Sequence, residues 1–157
     1  MENALFYRCE KCGNMVASIK ANGGVLTCCG QDMTKLVANS TDASKEKHVP
    51  VAVSENGKIK VTVGSIEHPM TAEHFIEWIA LAADKKIEIV HLTPGMKPKA
   101  EFVDHSSENE IIFTGEQDEV VPNCEGQPCN FVYSENAGNT ITVYAYCNIH
   151  GLWKSEL

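Results

Sequence analysis

Seven cysteines in 157 residues constrain this chain more than any other feature of its sequence. Four of them form two tight groups, "CEKCG" at 9–13 and "TCCG" at 27–30. The total is odd, and "MENALFYRCEKCG" has no basic region followed by a long apolar stretch, so no secretion signal is read. The expected compartment is the reducing cytoplasm, where thiols serve metals or redox chemistry more than structural disulfides. A C-x2-C pair sets two thiolates on one turn, and the glycine after each group permits a positive backbone torsion there. Cys9, Cys12, Cys28 and Cys29 together make a tetrahedral thiolate set suited to zinc or a single iron. A redox CxxC beside two unrelated cysteines is the competing reading. The shared Cys-Gly ending of both groups weighs against it.

The rest of the chain is patterned for strands. "VPVAVSENGKIKVTVG" (49–64) is two alternating runs around Asn56-Gly57, a strong hairpin signal. "HFIEWIALAADKKIEIVHLTPG" (74–95) holds a second pair turning near Asp84-Lys85. Its first half also fits a helical face, but Phe75, Ile76, Trp78 and Ile79 favour strand. "KAEFV", "EIIFTG" and "TITVYAYC" add further strands, and short strands at this spacing predict an all-β sandwich. No apolar run approaches the roughly 20 residues of a membrane span. The net charge of −8 and the lack of a basic stripe argue against nucleic acid as a partner. An anionic substrate would need a local positive patch.

A second constellation closes the chain. "YAYCNIHGLW" (144–153) ends a strand in Cys147 and, three residues on, His150. No second cysteine stands near Cys147, so further ligands must come from elsewhere. Histidines occur in "EKHVP" (His48) and "EHPMTAEHF" (His68, His74). The H-x5-H spacing is not the i, i+4 pair of a helical zinc site and needs a turn, which Pro69 supplies. A histidine taken alone is usually a surface or satisfied core residue. Four at strand ends and turns, one of them three residues from a cysteine, make that ordinary reading less plausible, though the pattern alone does not exclude it.

Residues 1–36 resemble desulforedoxin through "CxxCG" and "GGVLTCCGQDM". "EKHVP", "HPMTAEHFIEWI" and "YCNIHGLW" extend the resemblance to desulfoferrodoxin, the two-iron superoxide reductase. The resemblance implies a mainly β protein: a small desulforedoxin-like module at 1–37, a linker at 38–47, and an immunoglobulin-like β-sandwich at 48–157. It implies two irons per chain. Cys9, Cys12, Cys28 and Cys29 would hold the first, where zinc is an alternative. His48, His68, His74 and His150, with Cys147 as axial thiolate, would hold the second. The sixth position would be open to superoxide, Glu46 would be the glutamate able to occupy it on ferric iron, and Lys47 the lysine beside it. Neutral imidazoles and one thiolate leave ferrous iron net positive, and the thiolate pushes electron density onto it. The implied partners are superoxide, a donor protein such as rubredoxin, and a second copy in a homodimer. The competing functions are an electron carrier without catalysis and a zinc-stabilised binding module.

One stretch departs from the pattern. Residues from about 104 to 137, including "DHSSENE", "GEQDE" and "NCEGQPCN", read as an insertion. Insertions of this size cost little in closure entropy. Cys124 and Cys129 in it are read as idle thiols, with a reversible disulfide next and a third metal site last. His91 and His105 are read as solvent-exposed.

Overall fold

The computed structural model describes residues 4–18, 23–83, 86–104, 110–113, 131–134 and 140–157. The chain divides into two compact units, Met1–Val103 with Thr140–Leu157, and Asp104–Asn139. The first unit opens with short strands β1 (Leu5–Arg8), β2 (Met15–Ser18), β3 (Thr27–Cys28), β4 (Gln31–Asp32) and β5 (Thr34–Lys35). β1 lies between β2 and β5, while β3 and β4 form a separate pair. A helical turn, α1 (Lys45–His48), leads into β6 (Pro50–Glu55), β7 (Lys58–Val63), β8 (Ile76–Ala83), β9 (Lys86–His91) and β10 (Lys99–Val103). In the second unit the described strands are β11 (Glu110–Phe113) and β12 (Phe131–Ser134), paired antiparallel. β13 (Thr142–Cys147) and β14 (Gly151–Glu156) complete the first unit.

Two antiparallel sheets make the sandwich, ordered β10-β7-β6 and β14-β13-β8-β9. The expected hairpin is present: Glu55 pairs with Lys58, and Asn56 and Gly57 have φ of 53° and 72°. Positive φ at both turn residues is what a two-residue hairpin with right-twisted strands requires. Ile59, Val61 and Val63 of β7, Ile79 and Leu81 of β8, and Val143 and Ala145 of β13 fill the space between the sheets.

β8 explains why its sequence reads ambiguously. Its other face is also buried. Trp78, Ala80 and Ala82 pack with Tyr144, Tyr146 and Leu152 against Ala4 and Phe6 of the N-terminal segment. Phe6 lies 4.9 Å from Trp78 and edge-on to Tyr144 at 5.1 Å, and Trp78 stacks on Tyr146 at 5.5 Å. A strand covered on both faces loses the alternation that marks a half-exposed one. Within the segment read as a linker, Asn39 is tied to β14. Its N–H donates to Leu152 O (2.9 Å), its side-chain amide donates to Lys154 O (3.1 Å), and its side-chain oxygen accepts from Lys154 N–H (2.9 Å). That segment also contains most of α1, which the sequence reading leaves unassigned. Cys124, Cys129 and His105 lie outside the described residues. His91 is exposed on β9, opposite Trp78.

Candidate metal centres

Cys9 directly follows β1 and is buried, Cys28 is partly buried, and Cys12 and Cys29 are exposed. The turn between the first pair is closed by Cys9 N–H to Asn14 O (2.8 Å) and Gly13 N–H to Cys9 O (2.9 Å), with Gly13 at φ 77°. Cys29 itself adopts a positive φ of 51°, which lets two adjacent cysteines face one point. The four sulfurs lie within 4.8 Å of one another. Cys12 Sγ is 3.7 Å from Cys28 Sγ, which is 3.9 Å from Cys29 Sγ. Sulfurs at the corners of a tetrahedron with metal bonds of about 2.3 Å stand about 3.8 Å apart, so the cage fits zinc or iron. The amide of Cys12 holds the Cys9 thiol down to about 7. The thiols of Cys12 and Cys28 push Cys29 up to about 12. Four thiols this close shed their protons together only in exchange for a cation.

The second constellation gathers His48, His74, Cys147 and His150, whose ligand atoms lie within 4.8 Å of one another. His68 closes a ring of imidazoles without joining that cluster. Ring centres are 4.7 Å apart for His48–His68, 4.6 Å for His68–His74, 4.8 Å for His74–His150 and 4.6 Å for His48–His150. Each neighbour stands edge-on to the next, at interplanar angles of 72° to 81°. His48 Nε2 is 2.9 Å from His150 Nδ1. Two donors at right angles about a metal, with bonds of about 2.0–2.1 Å, stand about 2.9 Å apart.

The local structure explains how these rings are aimed. His48 is the last residue of α1, and its Nδ1–H donates to Ser44 O at 2.7 Å. His68 Nδ1–H donates to the Pro69 carbonyl at 2.6 Å. Each bond fixes the tautomer and leaves a lone pair on Nε2, the arrangement that orients ligating histidines. Nε2 of His68 and of His74 is buried with no hydrogen-bond partner among the described residues. A buried acceptor left so is costly unless a cation takes it. Burial holds His48 and His74 below the usual imidazole range and takes His68 to about 4, so these three rings are neutral at neutral pH.

Cys147 reaches the site through a strand irregularity. β13 pairs Tyr146 with Trp78 but Cys147 with Ile76, so Glu77 is an extra residue in β8. This bulge puts Ile76 on the core face with Cys147. Cys147 Sγ is fully buried, 3.6 Å from His150 Nδ1, and accepts from His150 N–H at 3.5 Å. Burial raises its thiol, while the amides of His150 and Ile149 oppose the rise. Glu46 and Lys47 are exposed on α1 and lie outside the cluster of ligand atoms. The Ser44 hydroxyl beside the Glu46 carboxylate holds it below the usual range.

Three contributors escape the sequence reading. Trp153 is fully buried and stacks on His48 at 5.0 Å and 26°. Ser44 aims His48 through its carbonyl, which no side-chain pattern reports. Gly64 sits at φ +83° against the carbonyls of Glu46 and Lys47.

Residues 40–156 match the family described as Desulfoferrodoxin, and residues 2–36 match Desulfoferrodoxin, N-terminal domain. The chain is 40% identical over 158 residues to the desulfoferrodoxin of Clostridium acetobutylicum, covering 100% of both chains. It is 34% identical over 134 residues to a superoxide reductase of Pyrococcus horikoshii, covering 80% of this chain and 97% of that one. The crystal structure of the superoxide reductase from Treponema pallidum aligns with a TM-score of 0.62 at 25% identity, covering 97% of this chain and 98% of that one.

Proposed function

The chain belongs to the desulfoferrodoxin family, and on that premise we propose that it is a superoxide reductase. Superoxide takes up one electron and two protons and leaves as hydrogen peroxide, while an external donor loses one electron. The observation that carries this reading is the ring of four imidazoles set beside one buried sulfur, with Nε2 of His68 and of His74 buried and without a hydrogen-bond partner among the described residues.

His48, His68, His74 and His150 would hold iron, with Cys147 as its thiolate ligand. Iron so bound would supply one-electron reduction of a small anion. The remaining work belongs to the chain. Ser44 and Pro69 carbonyls keep two imidazoles in the ligating tautomer, and Trp153 covers the face of His48. Amides of the 147–150 turn partly neutralise the sulfur. Lys47 sets a positive charge on α1 that draws an anion toward a protein of net charge −8. Glu46, on the same turn, is the family's candidate for the open position in the oxidised state.

Cys9, Cys12, Cys28 and Cys29 would hold the first metal, iron with zinc as the alternative. Four thiolates leave no open position there, so this site serves structure or electron relay. The domain division at residues 37 and 47, a donor such as rubredoxin and a homodimer belong to the same reading. A cytoplasmic location suits the five described cysteines, all free thiols. Among the described residues no helix is long and apolar enough to cross a membrane.

The test is metal analysis of the purified protein with a superoxide-consumption assay under an electron donor. One peroxide formed per superoxide consumed, with both sites holding iron, supports the reading. A coloured protein forming no peroxide would be an electron carrier, and a colourless zinc protein a binding module.

A further inference from the structure

We propose that Asn148 is a positioning residue that locks the Cys147–His150 turn to the backbone on both sides of His74. The inference rests on the second metal centre described above and assigns a role to a side chain that touches no metal.

The turn needs such a lock. Cys147 pairs with Gly151, so Asn148, Ile149 and His150 form a three-residue hairpin loop, with Gly151 at φ 73°. Its tip is exposed, with Ile149 57% accessible. On the facing chain, β8 begins only at Ile76, so His74 lies beyond the end of the ladder. Cys147 at the end of β13 and His150 on a solvent-facing loop must therefore meet a third ligand on a segment without strand pairing.

Asn148 spans that gap with three bonds. Its backbone N–H donates to Phe75 O at 3.1 Å. Its side-chain oxygen accepts from Phe75 N–H at 3.0 Å, and its side-chain amide donates to Glu73 O at 2.9 Å. The carboxamide acts as one more peptide unit, continuing the β13–β8 ladder past the bulge. It grips the residue before His74 and the residue after it. Thr71 closes the same loop from the other end, where its hydroxyl oxygen accepts from His74 N–H at 3.1 Å. Glutamine is too long for this geometry, alanine supplies neither bond, and aspartate retains only the acceptor for Phe75 N–H.

The experiment uses the full chain loaded with iron, as wild type, Asn148→Ala and Asn148→Asp. Each is challenged with a ferrous chelator, and loss is followed at the thiolate absorption of each site. Removing a group that orients ligands typically costs 10–100-fold in metal affinity. Asn148→Ala should therefore lose second-site iron 10–100-fold faster while the first site releases at the wild-type rate. Asn148→Asp should fall between the two. The first site is the internal control, because a merely loosened fold would speed both. Unchanged second-site loss, or equal acceleration at both sites, overturns the inference. If the alanine variant does not fold, the aspartate variant is judged by the same outcomes. A wild-type second site that takes up no iron overturns the underlying reading as well, and so is distinguished from failure of this inference alone.

Discussion

Replacing Gly64 by alanine should cost far more than the same change at other left-handed glycines, and the difference can be worked from contacts. Gly64 has φ +83°, and a Cβ built there would run into Ile66 O and stand 2.8 Å from both Glu46 O and Lys47 O. All three are backbone atoms and cannot swing aside. Relief requires both α1 and the turn through Ile66 to move away from Gly64, which strains Gly64 N–H to Val49 O (3.1 Å) and Ile66 N–H to Glu46 O (3.0 Å). The left-handed backbone costs an alanine about 1–2 kcal/mol, and each hydrogen bond lost adds about 0.5–1.5 kcal/mol, giving about 2–5 kcal/mol in all. Gly57 is the control, since it has φ +72° with nothing within 4 Å of its Cβ position. Gly57→Ala should cost only the backbone part, about 1–2 kcal/mol. Urea unfolding of both variants measures the difference through the midpoint at constant slope. The displaced α1 carries His48, so second-site metal should also bind more weakly in Gly64→Ala alone. Equal midpoints for the two variants would refute the claim that Gly64 seats the helical turn.

Cys147→Ser should abolish the thiolate-to-iron absorption of the second site and nearly all superoxide reduction; retention of both would mean the thiolate ligand is misassigned. Lys47→Ala should slow the bimolecular reaction with superoxide while iron stays bound, and flatten the dependence of that rate on ionic strength. A wild-type rate and salt slope in stopped-flow or pulse-radiolysis measurements would reduce Lys47 to an ordinary surface charge. Cys12→Ser should empty the first site yet leave the prereduced second site reacting at close to the wild-type rate. A large fall in that rate would mean the two sites do not divide the work.

The parts of the fold that were legible are those where one local rule acts alone. Asn56-Gly57 announces its turn because few other residues accept positive φ twice in succession. The cysteines announce a cage because four thiols in two tight turns have few other uses. β8 was harder, because burial of both faces erases its alternation. β14 was missed for a related reason: in "GLWKSE" Leu152 and Trp153 are both buried, one against the N-terminal segment and the other against His48. The aim of the histidines was not legible at all. It depends on the Ser44 and Pro69 carbonyls, and a backbone carbonyl leaves no mark on residue identity. Gly64 left a mark, but a glycine in a sequence does not say which chain it lets approach.

β13 shows how the two metal regions can share one wall while differing in chemistry. Its alternation sends Val143, Ala145 and Cys147 into the sandwich and Tyr144 and Tyr146 onto the N-terminal segment. Tyr144 and Tyr146 pack in the cluster that contains Phe6, three residues before Cys9, while Cys147 faces the imidazole ring. The aromatic face is packed by large rings at 4.9 to 5.5 Å, which resist displacement. The first site is therefore fastened at its buried ligand, Cys9, and open at Cys12 and Cys29. The second is fastened at Cys147, with His74 and His150 only partly buried. The fixed sulfur is Cys147 at the end of β13 in one site and Cys9, directly after β1, in the other, while the exposed Cys12 and Cys29 come from turns. β13 thus packs on the segment that leads to Cys9 with one face and carries Cys147 on the other.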